Sequence, residues 1–187
     1  MLLLLFSSMQ KKMLRLKLDK LEESRKILLT ELNALDEKIL KRKPAPGKWS
    51  VNQIIYHLNL AESGSIRYVK KKMLGGHDLK NTGIMAATRS FFLKWLLQSG
   101  YKWKAPKVLG DVPEEVNYSD VIQNWNETRH ELYLLIDTLP EELIGKEVYR
   151  HPRAGRLNML HMVEFFQDHF DHHLLQINLL KKSSTAN

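Results

Sequence analysis

The stretch His151-Pro152-Arg153-Ala154-Gly155-Arg156-Leu157-Asn158 and the run after it, MLHMVEFFQDHFDHHLLQINLL (residues 159–180), decide how the rest of the chain is read. The run predicts one long amphipathic helix. Gly155 permits a backbone turn that other residues resist, and Asn158 is placed to cap the helix. Three histidines, His169, His172 and His173, fall within five residues of this helix. On a helix His169 and His173 are i,i+4 neighbours on one face, close enough to grip a single ion. A zinc-like site needs at least one more protein ligand, so the rest of the chain is read for it. His172 lies about 100° from His173 around the helix and does not easily reach the same ion. It is read as a packing or supporting residue, oriented by Asp168 or Asp171.

Working outward, residues 10–40 place Leu14, Leu16, Leu18, Leu21, Ile27, Leu28, Leu29, Leu32, Leu35 and Ile39 at helical spacing among Lys and Glu, which predicts a first long helix. It runs into Lys41-Arg42-Lys43, favourable at a helix C-terminus, and then into Pro44-Ala45-Pro46-Gly47, which cannot continue it. Ser50 and Gln53 form a capping box for a second helix, with Trp49 before it as a staple candidate and Gly75-Gly76 as its stop. His57 leans toward the apolar stripe of this helix. A lone histidine on such a face is usually a satisfied core residue, and spacing alone does not make it a ligand. Residues 85–98 predict a shorter third helix, and residues 100–113 a connection pinned by Tyr101 and Trp103. Asn117 or Ser119 caps a further helix that ends before Pro140. Residues 140–148 read as a turn with one helical turn. No stretch shows sustained β alternation, a glycine-rich phosphate loop or a long repeat. The expected fold is all-α: a four-helix bundle with an extra short helix in the long crossover between the second and third long helices.

The composition is that of one globular domain: 187 residues, 43% hydrophobic and 27% charged. Residues 1–8 are expected to be a leader, 9–182 the domain and 183–187 a tail. Leu2-Leu3-Leu4-Leu5-Phe6 lacks the basic flank and cleavage site of a signal peptide and is too short to span a bilayer, so the expected location is cytoplasmic with no membrane contact. With no cysteine, thiolate metal sites and cysteine nucleophiles are excluded. A metal would be held by nitrogen and oxygen, which suits zinc or nickel, then iron, manganese or copper. The formal charge of +8 suits an acidic partner. Its basic clusters, including Lys70-Lys71-Lys72 and residues 102–107, are short and scattered. They read as solvated helix ends, and no groove-binding motif accompanies them, so nucleic acid is not an expected partner.

Trp49-Ser50-Val51-Asn52-Gln53-Ile54-Ile55-Tyr56-His57-Leu58 resembles the Trp-Ser/Thr-x6-His-Leu signature of the DinB-like superfamily of four-helix bundles. His169-Phe170-Asp171-His172-His173-Leu174-Leu175-Gln176-Ile177 resembles its closing H-x-x-H-H-x-x-Q-I segment, and His151-Pro152 with Gly155 fits the loop before it. The resemblance covers residues 13–181. It implies a metal site at His57, His169 and His173, which adds the ligand that spacing could not supply. Relatives of this kind include metal-dependent hydrolases and thiol-dependent transferases. The implied function is therefore a metal-dependent hydrolase or thiol transferase acting on a small molecule, with a low-molecular-weight thiol as a candidate partner and a homodimer as the expected assembly. A non-catalytic metal-binding or structural bundle is the alternative. Three imidazoles leave coordination positions open, as in catalytic sites. His161 is placed to border the pocket or to make a surface contact. Glu62, Glu164 and Gln167 read as ordinary polar helix residues before they read as supporting oxygens. His151 fits the loop and braces it; His77 and His130 belong to no constellation. No Ser-His-Asp order and no nucleophile elbow occur.

Overall fold

The computed structural model describes residues 2–75, 79–99 and 111–185. Helix α1 (Leu2–Asn33) buries Leu14, Leu18, Leu21, Leu28 and Leu32, whose spacing keeps them on one face, and leaves Leu16 and Ile27 in solvent. It does not run on to residue 40 as the periodicity suggested. Asp36 breaks in, its carboxylate accepting from the Lys38 amide at 2.7 Å to cap a separate short helix α2 (Glu37–Lys41). The break also moves the buried position from Ile39 to Leu40.

Helix α3 (Val51–Leu74) starts where expected. Ser50 Oγ accepts from the Gln53 amide, and the Gln53 side chain accepts from the Ser50 amide, so both halves of the capping box are made. Gln53 Nε2 also donates to the Pro113 carbonyl at 2.8 Å, and Asn52 Nδ2 donates to the Val116 carbonyl at 2.9 Å. The end of the crossover is thereby fastened to the first turn of α3. Helix α4 (Ile84–Gln98) is the expected short helix. Helix α5 (Tyr118–Thr138) is capped by Asn117, and a 3₁₀ turn at Glu141–Leu143 follows Pro140. Expectations for Gly76, His77, Tyr101, Trp103 and residues 102–107 lie outside the described residues.

The 151–157 loop is a small antiparallel hairpin, β1 (Tyr149–His151) with β2 (Gly155–Leu157), where no strand was expected. Three-residue strands are too short to show alternation. What makes the hairpin is local: His151 Nδ1 accepts from the Arg153 and Ala154 amides at 3.2 and 3.1 Å, and Gly155 takes a φ of +75°. His151 thus braces its loop as expected. Asn158 then accepts from the His161 amide at 3.0 Å and caps helix α6 (Met159–Thr185).

Helix α1 packs on α5 and α6, and α3 packs on the same two, so the four long helices form an all-α bundle with one shared core. Helix α4 lies across α6 and β2 at one side. The core also holds an ionic cluster that periodicity does not reveal. Arg129 Nη2 donates to Glu62 Oε1 at 2.7 Å, Trp125 Nε1 donates to Glu62 Oε2 at 3.0 Å, and Arg25 binds Glu22 through two nitrogens. All of these side chains are buried. Some surface lysines pair with carboxylates, as in Lys17–Glu164, Lys43–Glu114 and Lys70–Glu131. Among the described residues no helix is long and apolar enough to cross a membrane.

Candidate metal centre

Helix α3 supplies His57 and helix α6 supplies His169 and His173 to one buried point between them. Nε2 of His169 lies 3.1 Å from Nε2 of His57 and 3.1 Å from Nε2 of His173. One ligand atom from each of the three residues lies within 4.8 Å of the others, so the cluster could hold a metal ion. Two nitrogens bound at about 2.05 Å with a tetrahedral angle sit about 3.3 Å apart, so the observed spacing fits a common ion.

The hydrogen bonds around the cluster fix which nitrogen of His173 is bare. The Leu97 carbonyl only accepts, so His172 Nδ1–H donates to it at 2.9 Å. His172 Nε2 is then an acceptor and takes an N–H from Gln176 Nε2 at 3.1 Å. That leaves Gln176 Oε1 to accept from His173 Nδ1–H, also at 3.1 Å. His173 Nε2 therefore presents a lone pair to the cluster, the form in which imidazole ligates. His57 Nδ1 has no hydrogen-bond partner among the described residues, so nothing there competes with a proton on Nδ1 and a lone pair on Nε2.

Burial keeps the three rings neutral. It pushes His57 down from the ordinary 6.5 to about 4, with a smaller contribution from His172. Burial, then the neighbouring His57 and His172, takes His173 to about 3. His169 is held well below its ordinary value by burial and then by His173 and His57. Aromatic rings complete the packing: Trp49 lies 4.9 Å from the His57 ring, and Phe165 stacks on His169 at 5.2 Å. Trp49 thus serves the histidine side of the α3 entry besides any role as a staple. His151 packs on Phe165 at 4.5 Å, and burial lowers it to about 4.

The other candidates fall elsewhere. His172 does support His173, but through Gln176 and the Leu97 carbonyl; Asp168 pairs with Lys94, and Asp171 accepts from Gln167. Glu62 belongs to the Arg129 cluster and Glu164 to Lys17. His161 borders a groove with Lys17 and Lys94 on the other face of α6, and His130 is exposed. The residue that sequence reasoning left without a role is Gln176, although its signal was present: it is i+3 from His173 and i+4 from His172.

In front of the triad lies a cavity of about 900 Å³, within the range of small-molecule sites. Its walls come from α3, α4, α6 and the hairpin. The arrangement offers three buried imidazole nitrogens at the end of a largely apolar chamber.

The DinB superfamily profile matches residues 20–177. YuaE, an uncharacterized protein of Bacillus subtilis (strain 168), is 24% identical over 160 residues, covering 86% of this chain and 94% of its own length. No solved structure gives a significant match.

Proposed function

The chain belongs to the DinB superfamily, and from that premise we propose that it is a metal-dependent enzyme, a hydrolase or a thiol-dependent transferase acting on a small molecule, with His57, His169 and His173 as the ligands of a divalent ion. The observation that carries this reading is the convergence of three buried, neutral Nε2 atoms from two helices. Zinc or nickel suits the all-nitrogen donor set best; iron and manganese are compatible. Such an ion supplies Lewis acidity, lowering the pKa of a water or thiol or polarising a carbonyl.

The chain's own residues supply the rest. Gln176 and His172 hold the His173 ring in the ligating tautomer. Trp49 and Phe165 fix the orientation of His57 and His169 and keep bulk water from them. Three protein ligands would leave a bound ion with coordination capacity for water or substrate. No carboxylate lies among the described lining residues to act as a general base; an ion held by His57, His169 and His173 would supply the activation of the nucleophile.

The same reading includes a homodimer, supported by apolar side chains left in solvent on α1 and α4, among them Leu16, Ile27, Phe91, Phe92 and Trp95. The experiment that tests the function is turnover. Protein loaded with zinc or nickel is assayed against ester, amide and thiol-acceptor panels, beside a His57→Ala variant. Turnover that disappears in the variant supports the enzyme. Full metal occupancy with no turnover on any panel assigns the cavity to binding alone.

A further inference from the structure

One face of α3 runs along the cavity as Ile54, His57, Ala61 and Ser65, spaced three or four residues apart. Ser65 lies two turns beyond His57, about 12 Å along the helix axis. There it meets Tyr149 of β1, the two hydroxyl oxygens 3.5 Å apart, and both residues line the cavity. The Ala61 carbonyl only accepts, so the single Ser65 hydroxyl proton goes to it at 2.8 Å. Tyr149 is then the donor to Ser65 Oγ, and 3.5 Å is well beyond the usual length of about 2.7 Å for such a bond. No other hydrogen bond of this phenol is made among the described residues. Tyr118 and Tyr133, both less buried, bond to Asn33 and Asp19 at 2.8 and 3.0 Å. Tyr149 is only 2% exposed, and a phenol so buried ordinarily has a close partner.

We infer that Tyr149 is a specificity residue of the cavity: its hydroxyl donates to a carbonyl or ether oxygen at one end of an apolar-bodied small molecule whose other end meets the triad. Ala61, Leu93, Leu97 and Phe165 give the same cavity its apolar wall, and a few placed polar groups in such a wall orient a ligand. Burial pushes the phenol well above its ordinary 10, with Ser65 opposing, so at neutral pH it keeps its proton and presents a donor. An acceptor entering the cavity replaces the long bond to Ser65 with one of normal length, a gain that a hydrocarbon of the same shape does not make. The separation of about 12 Å along α3 keeps the phenol away from an atom bound at the triad, so it reads the far end of a ligand and takes no part in making or breaking bonds. The inference rests on reading this cavity as the substrate site, and it does not depend on which ion, if any, the triad holds.

The test uses the full chain as purified and calorimetric titration with butyrophenone and with butylbenzene, which share an apolar body and differ by one carbonyl. In Tyr149→Phe the affinity for butyrophenone is expected to fall about three- to tenfold, the worth of one neutral hydrogen bond, while that for butylbenzene stays within about twofold. The infrared stretch of an isotope-labelled carbonyl in bound butyrophenone is expected at lower frequency in the wild type than in Tyr149→Phe, a signature that a change in packing alone does not produce. The thermal midpoint of the variant is expected to be nearly unchanged, because the bond lost is long. Ser65→Ala is the second variant: it removes the competing acceptor and is expected to hold the butyrophenone affinity or raise it. No binding of either probe, equal losses for both in Tyr149→Phe, an unshifted stretch, or a loss in Ser65→Ala as large as in Tyr149→Phe overturns the inference. Metal content is measured on the same samples. A selective loss in protein that holds no metal, and takes up none, leaves the inference standing and removes the metal reading; bound metal without the selective loss does the reverse.

Discussion

Gln176 fixes His173 by a chain of hydrogen bonds that begins at the Leu97 carbonyl and has only one consistent direction. A supporting residue of this kind sets ring orientation and tautomer without touching an ion. Gln176→Leu is therefore expected to weaken zinc binding about 10- to 100-fold while leaving the thermal midpoint of metal-free protein nearly unchanged. Competition titration against a zinc indicator measures the first and calorimetry the second; unchanged affinity would show the chain to be incidental. At this scale the sequence was informative in a limited way. The i,i+4 spacing of His169 and His173 follows from helix geometry, and family resemblance supplied His57. The role of His172 was legible only as support, because its partner is a main-chain carbonyl on α4, far away in sequence. The Glu62–Arg129 pair was illegible for a related reason: a buried ion pair satisfies charges that composition assigns to the surface.

The elements explain why α3 and α6 hold the triad in place. The capping box at Ser50 starts α3 one residue after Trp49, so the turn that presents Trp49 to His57 and the turn that presents His57 to α6 are set together. Ser50→Ala is expected to lower stability by about 1 kcal/mol in denaturant unfolding, without changing metal stoichiometry. The contact of α3 with α5 carries a larger liability. Arg129→Met leaves Glu62 buried beside Trp125 with its main cationic partner gone, and the expected loss is about 3–5 kcal/mol. A loss under 1 kcal/mol would mean that Arg25 or water takes over. The helices themselves were readable because caps, glycine stops and periodicity agree along most of the chain. Two features were not. The break after α1 hides in an apolar pattern that continues across it, since Leu35 and Ile39 keep helical spacing. The hairpin is made by His151 and Gly155 acting over seven residues, a length at which strand periodicity has no statistical content.

For the whole molecule, the buried histidines tie stability to pH. His57, His151 and His173 stay neutral in the folded state down to about 4, 4 and 3, while in the unfolded chain each takes up a proton near 6.5. The unfolded state thus binds more protons below 6.5, and stability falls as pH falls through that window toward the folded values. Each such group contributes on the order of 1.4 kcal/mol per pH unit, so metal-free protein is expected to lose several kcal/mol between pH 6.5 and pH 5. Urea unfolding across that range checks it; a flat profile would mean that the rings are hydrated and free to protonate. Assembly is tested at the same scale by sedimentation equilibrium, where the proposed dimer gives a mass near twice 21.9 kDa. The central claim is the metal at the triad, and its most direct test is elemental analysis of the protein purified without a nickel column, alongside His57→Ala. The expected result is about one divalent ion per chain, bound at pH 7 and lost in the variant. An absence of metal in the wild type that persists after incubation with zinc or nickel at neutral pH, or equal metal in the variant, would contradict it.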